Sequence, residues 1–144
     1  MSLNSQIIQG LYTAAVSKVR TATLVVNGAD LLDPVHSDGA RSAAGAEASG
    51  LIAYLNITAV GTGTLQLTLE EQDPVSLTWS TVAATTAANT ATLVKLKLKA
   101  SITAVAASAT GVVVQDVLPG IWRLRVIHTD GSNYTYSLGV VLYD

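Results

Sequence analysis

The 144-residue sequence contains no cysteine, which excludes disulfide bonds, thiolate catalysis and zinc sites built on thiolates. This absence leaves the redox compartment undecided. Charged residues are also scarce, at 12% against about 25% in ordinary globular proteins, while hydrophobic residues make up 49%. Much of the surface must therefore be apolar or hydroxylic, and large exposed apolar patches usually mark interaction sites. We expect contacts between subunits and not a monomer.

A basic surface and an apolar leader are missing as well. The formal net charge of −2 provides no cluster of Lys and Arg for nucleic acid, so direct DNA binding is disfavoured. The N-terminus lacks the cationic start and continuous apolar run of a secretory signal. The uncharged stretch 74–94 is too rich in Ser and Thr for a membrane span, which needs about 20 predominantly apolar residues. The composition predicts a soluble protein that contacts neither nucleic acid nor membrane.

Catalytic and cofactor motifs are not found. The Gly-Thr-Gly segment 61–63 lacks the third glycine and the following helix pattern of a dinucleotide-binding loop, and no serine-hydrolase elbow occurs. The two histidines, His36 and His128, have no second histidine or cysteine at ligand spacing. Asp130 lies in a turn without the alternating acidic ligands of a calcium loop. We therefore predict no enzymatic activity, no catalytic residues, no cofactor and no metal.

Alternating apolar residues predict two β-hairpins. The first joins residues 50–60 to residues 65–70 through the glycine-containing turn 61–63. The second joins residues 121–128 to residues 133–141 through Asp130-Gly131, a strong hairpin signal. Because side chains alternate along a strand, each of these strands has one apolar face that needs a core.

Further strands complete an all-β pattern. Shorter runs at 21–26, 76–80 and 112–117 read as strands, and the Ala- and Thr-rich segment 81–92 allows either strand or helix. Residues 93–99 place three lysines on one face, a pattern that typically protects an exposed or edge strand. We predict a β-sandwich or jelly roll of about seven to eight antiparallel strands.

The predicted core follows from the apolar faces. On the strand 121–128, Arg123 and Arg125 take the opposite face, where they either stay solvated or meet Glu70 or Glu71 within or between subunits. Tyr54, Tyr134 and Tyr136 either pack on the sheet or form a platform for sugar stacking. The predicted core residues are Leu55, Ile57, Leu67, Leu96, Trp122, Leu124, Val126, Tyr136 and Leu138.

Two segments stand apart from the sandwich, which we place at residues 21–144. Residues 1–20 show apolar positions near helical spacing and predict a short helix or an extended arm. Residues 27–49 form a long loop, and loops beyond about 12 to 15 residues are usually functional or disordered. The loop is predicted to form contacts between subunits. The N-terminal segment either grips a neighbour or is a frayed terminus that packs on its own domain. The predicted interface residues are Ile7, Ile8, Leu11, Tyr12, Leu31, Leu32, His36 and Arg41.

Several phrases of the sequence are similar to those of one family. They are GLIAYLNITAVGTGTL at 50–65, DPVS at 73–76 with Trp79, LPGIWRLRV at 118–126 and YTYSLG at 134–139. In the composition and order of these segments, the chain resembles the capsid decoration proteins of tailed double-stranded DNA bacteriophages, which are also called auxiliary or cement proteins. Some relatives come from phages of hot environments. None of these phrases is a catalytic signature.

The resemblance implies a structural role in the virion. Such proteins are made in the host cytoplasm and sit as β-rich trimers on the outside of the head. There they clamp the major capsid protein against the pressure of packaged DNA. Two alternatives remain at this point: a structural protein of the tail or baseplate, and a carbohydrate-binding β-sandwich that uses the tyrosines.

Overall fold

The computed structural model describes residues 11–13, 17–31 and 48–143, and these residues form two β-sheets that share one hydrophobic core. A short 3-10 helix covers Gly28–Asp30. The eleven strands are β1 (Leu11–Thr13), β2 (Lys18–Arg20), β3 (Leu24–Asn27), β4 (Gly50–Ala59), β5 (Leu65–Gln72), β6 (Trp79–Ala84), β7 (Leu93–Leu98), β8 (Val105–Ser108), β9 (Gly111–Val114), β10 (Trp122–His128) and β11 (Tyr134–Tyr143).

Within these described residues, the larger sheet has seven strands and the smaller has four. In the larger sheet the order is β1-β11-β4-β7-β9-β8, and β2 also pairs with β11. In the smaller sheet the order is β3-β10-β5-β6. The prediction of an all-β sandwich is confirmed, although short strands raise the count above eight. The prediction that all pairs are antiparallel is wrong for β7 and β9, which run parallel because the chain passes through β8 before it returns beside β7.

Neither predicted hairpin forms. β10 pairs with β3 and β5 in the smaller sheet, whereas β11 pairs with β1, β2 and β4 in the larger sheet. In the same way β4 and β5 belong to different sheets. The turns at 61–63 and at Asp130-Gly131 therefore cross from one sheet to the other. The physical reason is burial, because the apolar faces of β10 and β11 both require a core and meet across it.

The core contains all the residues that were predicted for it. The nine residues from Leu55 to Leu138 that were named above are each at most 2% exposed. Trp122 packs so closely on Gly28 that a Cβ at Gly28 would lie 2.5 Å from the indole ring. Leu31, which follows the 3-10 helix and was predicted to lie at an interface, is only 4% exposed. It belongs to the core and offers little surface to a partner, which corrects that prediction.

Strand β7 is not an edge strand. It lies between β4 and β9, and Val94, Leu96 and Leu98 point into the core. Lys95 and Lys97 point outward on the solvent face of the larger sheet. The prediction that the lysines guard a sheet edge is therefore wrong. They cover an outer face, and β8 forms the edge.

Several local predictions are also corrected. The helical alternative for the N-terminal segment is wrong for β1 and β2, which are extended and pair with β11. The helical alternative for 81–92 is wrong, because β6 runs to Ala84 and Ala88 bridges to Leu65. The strand predicted at 76–80 begins only at Trp79, and the one at 112–117 ends at Val114.

We predict that Leu124→Ala lowers the free energy of unfolding by about 2 to 5 kcal/mol, since truncating a fully buried leucine leaves a cavity. Urea denaturation followed by tryptophan fluorescence measures the change. Val25→Ala on β3, where the side chain is 43% exposed, is the matched control and should change the value by less than about 0.5 kcal/mol. A loss for Leu124→Ala no larger than that of the control would contradict the assigned core.

Candidate functional site

Hydrogen bonds tie the two sheet-to-sheet crossings together at one end of the sandwich, which we call the crossover end (residues 60–64 and 129–133). Thr62 Oγ1 donates to Asp130 Oδ2 at 2.6 Å, and the Thr62 amide donates to Ser132 Oγ at 3.0 Å. The Thr64 amide donates to Thr129 Oγ1 at 2.8 Å. These bonds connect segments about 70 residues apart and hold both crossings in one arrangement.

Asp130 is the acceptor at the centre of this network. Its Oδ1 accepts hydrogen bonds from the hydroxyls of Ser132 and Tyr134, both at 2.6 Å, and from the Ser132 amide at 3.2 Å. The hydrogen bonds from Ser132, Thr62 and Tyr134 hold the pKa of Asp130 well below its usual range. The carboxylate therefore stays ionised near neutral pH and has no proton to give as a general acid. Both of its oxygens accept hydrogen bonds that hold the two crossings together.

Tyr134 and Gly63 complete the network. Tyr134 is fully buried, and its hydroxyl also accepts a hydrogen bond from the Gly63 amide at 3.0 Å. A Cβ at Gly63 would lie 2.6 Å from that hydroxyl, so only glycine allows this approach. Within the described ranges, no three His, Cys, Asp or Glu side chains come together to hold a metal ion.

His128 lies beside this network and joins it to the N-terminal strand β2. Its Nε2 is 2.9 Å from the hydroxyl of Tyr136, and the Arg20 guanidinium lies 4.6 Å from the centre of the Tyr136 ring. Arg20 also donates to the Tyr136 carbonyl at 2.9 Å. Burial and Arg20 lower the pKa of His128 against a smaller opposing effect of Asp130, and burial raises the pKa of Tyr136 to about 12. Both side chains are therefore neutral at pH 7.

An ion-pair cluster lies on the outer face of the smaller sheet. Arg123 Nε binds Glu70 Oε1 at 2.7 Å, and Arg125 Nη1 binds Glu70 Oε2 at 3.4 Å. The Arg123 guanidinium also stacks 4.0 Å from the centre of a Trp79 ring. Of the alternatives for these arginines, the structure forms an ion pair within the chain, and Glu70 provides the carboxylate.

The end opposite the crossovers exposes several aliphatic side chains, and we call it the apolar end (residues 28–31, 73–78 and 115–121). Strand directions bring these segments together, and the Gln72 amide donates to the Ile121 carbonyl at 3.1 Å. Four large aliphatic side chains here face solvent: Val75 at 91% exposure, Leu77 at 62%, Val117 at 55% and Ile121 at 45%. Exposed aliphatic residues gathered in this way are typical of contact surfaces.

A groove of about 260 Å³ lies on the outer face of the larger sheet, over β7, β9 and β8. Lys95 and Lys97 form one side, and Val105 and Val113 supply apolar surface. No carboxylate is among its lining residues, which also include Ser108, Thr110, Gly111 and Val112.

The tyrosines do not form a platform for sugars. Tyr134 and Tyr136 are fully buried and face the core, so their rings are closed to a ligand. Tyr54 alone of the three is partly exposed, and the Lys95 ammonium lies 5.9 Å from its ring centre. The interpretation of these residues as packing side chains is correct for Tyr134 and Tyr136.

The structure describes only three of the eight predicted interface residues. Leu11 and Tyr12 lie in β1, at the edge of the larger sheet, and Leu31 lies in the core as stated above. Ile7, Ile8, Leu32, His36 and Arg41 lie outside the described residues. Sequence reasoning missed the exposed Val75 and Leu77. The signal for them was two aliphatic residues within three positions after the Asp-Pro pair at 73–74, a pair that turns favour.

Comparisons with known proteins do not assign a family. No family model matches the chain, and no curated protein matches it in sequence. Among solved structures, the Yersinia pseudotuberculosis-derived mitogen matches 94% of this chain and 88% of its own with a TM-score of 0.48 and 14% sequence identity. In the described part of the chain, no helix is long and apolar enough to cross a membrane.

We predict that Asp130→Asn lowers the free energy of unfolding at pH 7, because the amide cannot accept the same three side-chain hydrogen bonds. The pKa of Asp130 is lower in the folded state, so its stabilisation is present above about pH 4, the unfolded pKa, and is lost as the pH falls further. The difference from wild type should therefore shrink between pH 4 and pH 2 in urea titrations. Asp116→Asn, whose carboxylate accepts the neighbouring Val117 amide, is the control. A difference that is independent of pH would contradict this assignment.

We also predict that His128 makes stability depend on pH near neutrality. Its pKa is lower in the folded state, so the unfolded chain binds more protons as the pH falls below about 6.5. The free energy of unfolding should be highest above that pH and fall between pH 7 and pH 5. His128→Gln should flatten this slope, and His36→Gln, the control at the other histidine, should keep it. An unchanged slope in His128→Gln would show that the imidazole does not titrate in this way.

Proposed function

We propose that this protein is a structural component of a tailed-phage virion that binds the outside of the head as an oligomer, with a trimer as the expected form. In this role it binds the major capsid protein and stabilises the capsid against internal DNA pressure. No chemical step is part of the proposal. The resemblance described under Sequence analysis suggests the virion, and the surface of the sandwich supports an attachment role.

The observation that carries the proposal is the apolar end. Val75, Leu77, Val117 and Ile121 are exposed at this end, on segments that connect strands of the hydrophobic core. Nothing within the described chain covers these side chains. Because only 12% of the residues are charged, few charged groups are available to keep such an apolar surface soluble. A partner surface is the simplest cover for them.

The strand directions add a second argument. β1 runs antiparallel to β11 and begins where β11 finishes, with Leu11 opposite Val141. Leu31 and Ala48, the described residues on either side of the predicted loop, also lie on this side, where the Leu118 amide donates to the Ser49 carbonyl at 2.8 Å. The start of β1 and the described residues that border the loop therefore lie on the side of the apolar end, whereas β2 pairs with β11 beside the crossover end.

Multivalency explains how such a surface serves a capsid. Each copy offers a modest aliphatic patch, and an oligomer presents several patches at once. Once one copy is bound, the effective concentration of the others makes overall attachment far stronger than any single contact. A rigid sandwich suits this role, because a fixed spacing between patches is required for simultaneous binding.

The alternatives have less support. A structural protein of the tail or baseplate would use the same kind of surface, and direct mixing with heads and tails distinguishes the two. The carbohydrate-binding alternative depended on the tyrosines, and two of these are buried.

The test is co-sedimentation of the full chain with undecorated phage heads and with isolated tails. We expect saturable binding to heads. The double variant Val117→Ser/Ile121→Ser should weaken this binding at least tenfold, because it removes aliphatic surface that the contact buries. Val25→Ser/Leu93→Ser is the matched control, since these side chains have similar exposure but lie away from the apolar end. Absence of binding to heads by the wild-type chain would refute the proposal, and binding to tails alone would favour the alternative.

A further inference from the structure

The turn between β5 and β6, which we call the tip (residues 73–78), is held rigid by its own hydrogen bonds. Asp73 Oδ1 accepts the amides of Val75 at 2.8 Å and Ser76 at 3.3 Å. The Asp73 carbonyl accepts the Leu77 amide at 2.9 Å, and the Asp73 amide donates to the Thr78 carbonyl at 3.0 Å. A turn with this many internal bonds presents its side chains in a fixed geometry.

The tip displays apolar side chains at a conformational cost. Leu77 has a φ of 61°, the left-handed region that glycine and asparagine enter easily and a bulky residue does not. Yet its side chain is 62% exposed, and that of Val75 is 91% exposed. Neither packing nor solubility within one chain favours a leucine here. Strained residues of this kind are found where a function requires them.

The groove over β7, β9 and β8 has complementary properties. Its volume of about 260 Å³ exceeds the roughly 150 Å³ of an apolar cavity that holds benzene, so an aliphatic side chain fits. Val105 is 57% exposed and supplies apolar surface beside the lysines. Within the described part of the chain, neither Lys95 nor Lys97 is in an ion pair. The groove thus combines apolar surface with two cationic groups.

Charge fits the tip to this groove. Hydrogen bonds from the Val75 and Ser76 amides lower the pKa of the exposed Asp73, so the tip carries a negative charge beside its two aliphatic side chains. A carboxylate at this position repels an anionic lipid surface but suits the two lysines. The tip does not line the groove of its own chain, so the groove that it can enter belongs to another copy.

We propose that the tip of one copy inserts Val75 and Leu77 into the groove of a second copy, with Asp73 beside Lys95 and Lys97. Two different surfaces meet, so the contact is heterologous and generates a closed ring when the rotation between copies allows it. This inference rests on the oligomeric state in the proposed function and names the surfaces that form it. Val75 and Leu77 then belong to the contact between copies, and Val117 and Ile121 are the part of the apolar end that is left for the capsid.

The first experiment measures association of the full chain by native mass spectrometry and analytical ultracentrifugation. Val75→Ser/Leu77→Asn, the tip variant, should raise the dissociation constant of the oligomer at least tenfold. Because asparagine accepts the left-handed conformation, the thermal midpoint of the dilute monomer should stay unchanged or rise. Lys95→Glu/Lys97→Glu, the groove variant, should weaken association to a similar degree. Val25→Ser and Lys99→Glu lie outside both surfaces and should leave it unchanged.

The second experiment mixes the two variants. The groove variant keeps a working tip and the tip variant keeps a working groove, so the mixture should form a one-to-one dimer that neither variant forms alone. An oligomer that survives in both variants, a wild-type chain that is monomeric at its highest soluble concentration, or a mixture without the dimer would each overturn the inference.

These results are independent of head binding. An oligomer that persists in both variants and still sediments with heads would overturn this contact while it supports the proposed function. An oligomer that the variants dissociate, combined with a wild-type chain that fails to bind heads, would support the contact and refute the proposed function.

Discussion

The burial of two apolar faces against each other is the constraint on which the rest of this structure depends. The apolar face of β10 consists of Trp122, Leu124 and Val126. It faces the apolar side of β11, which consists of every second residue from Tyr134 to Leu142, and all of these side chains are at most 2% exposed. Two adjacent strands in one sheet present their apolar faces to the same side and cannot cover each other. When the two strands lie in opposite sheets, both apolar faces are buried at once. The turn between them then has to cross from one sheet to the other at the rim of the core.

This solution explains the polar chemistry at the crossover end. Each crossing leaves turn residues at the rim of the core, where their amides and hydroxyls need partners. The Asp130 carboxylate accepts several of these hydrogen bonds, and the buried Tyr134 hydroxyl connects it to the Gly63 amide. A cluster of Asp, Ser, Thr, Tyr and His side chains would suggest catalysis in a cleft. Here each of the hydrogen bonds described joins parts of the fold, and the pKa shifts keep Asp130 ionised and His128 neutral.

The apolar end contrasts with this polar end. There the segments carry exposed aliphatic side chains and, at Leu77, an unfavourable backbone conformation. The described part of the chain thus has one end where a network of hydrogen bonds joins polar groups of the fold and another where aliphatic side chains are exposed. Combined with the cationic groove on the larger sheet, this asymmetry is what a subunit that associates through unlike surfaces would require.

The amino-acid sequence by itself determined the all-β class, most strand positions and the inward face of each strand, since these depend on the alternation of side chains along a local segment. It also identified Trp122, Leu124 and Tyr136 as core residues. Only the tertiary structure decided which strands pair, because the Asp130-Gly131 turn is compatible with both a hairpin and a crossing, and global burial selects between them. For the same reason only the structure revealed the Asp130 network and the exposed tip, and only the structure selected Glu70 among the partners predicted for Arg123 and Arg125. Each of them brings together residues whose proximity or exposure depends on how the two sheets close on one core.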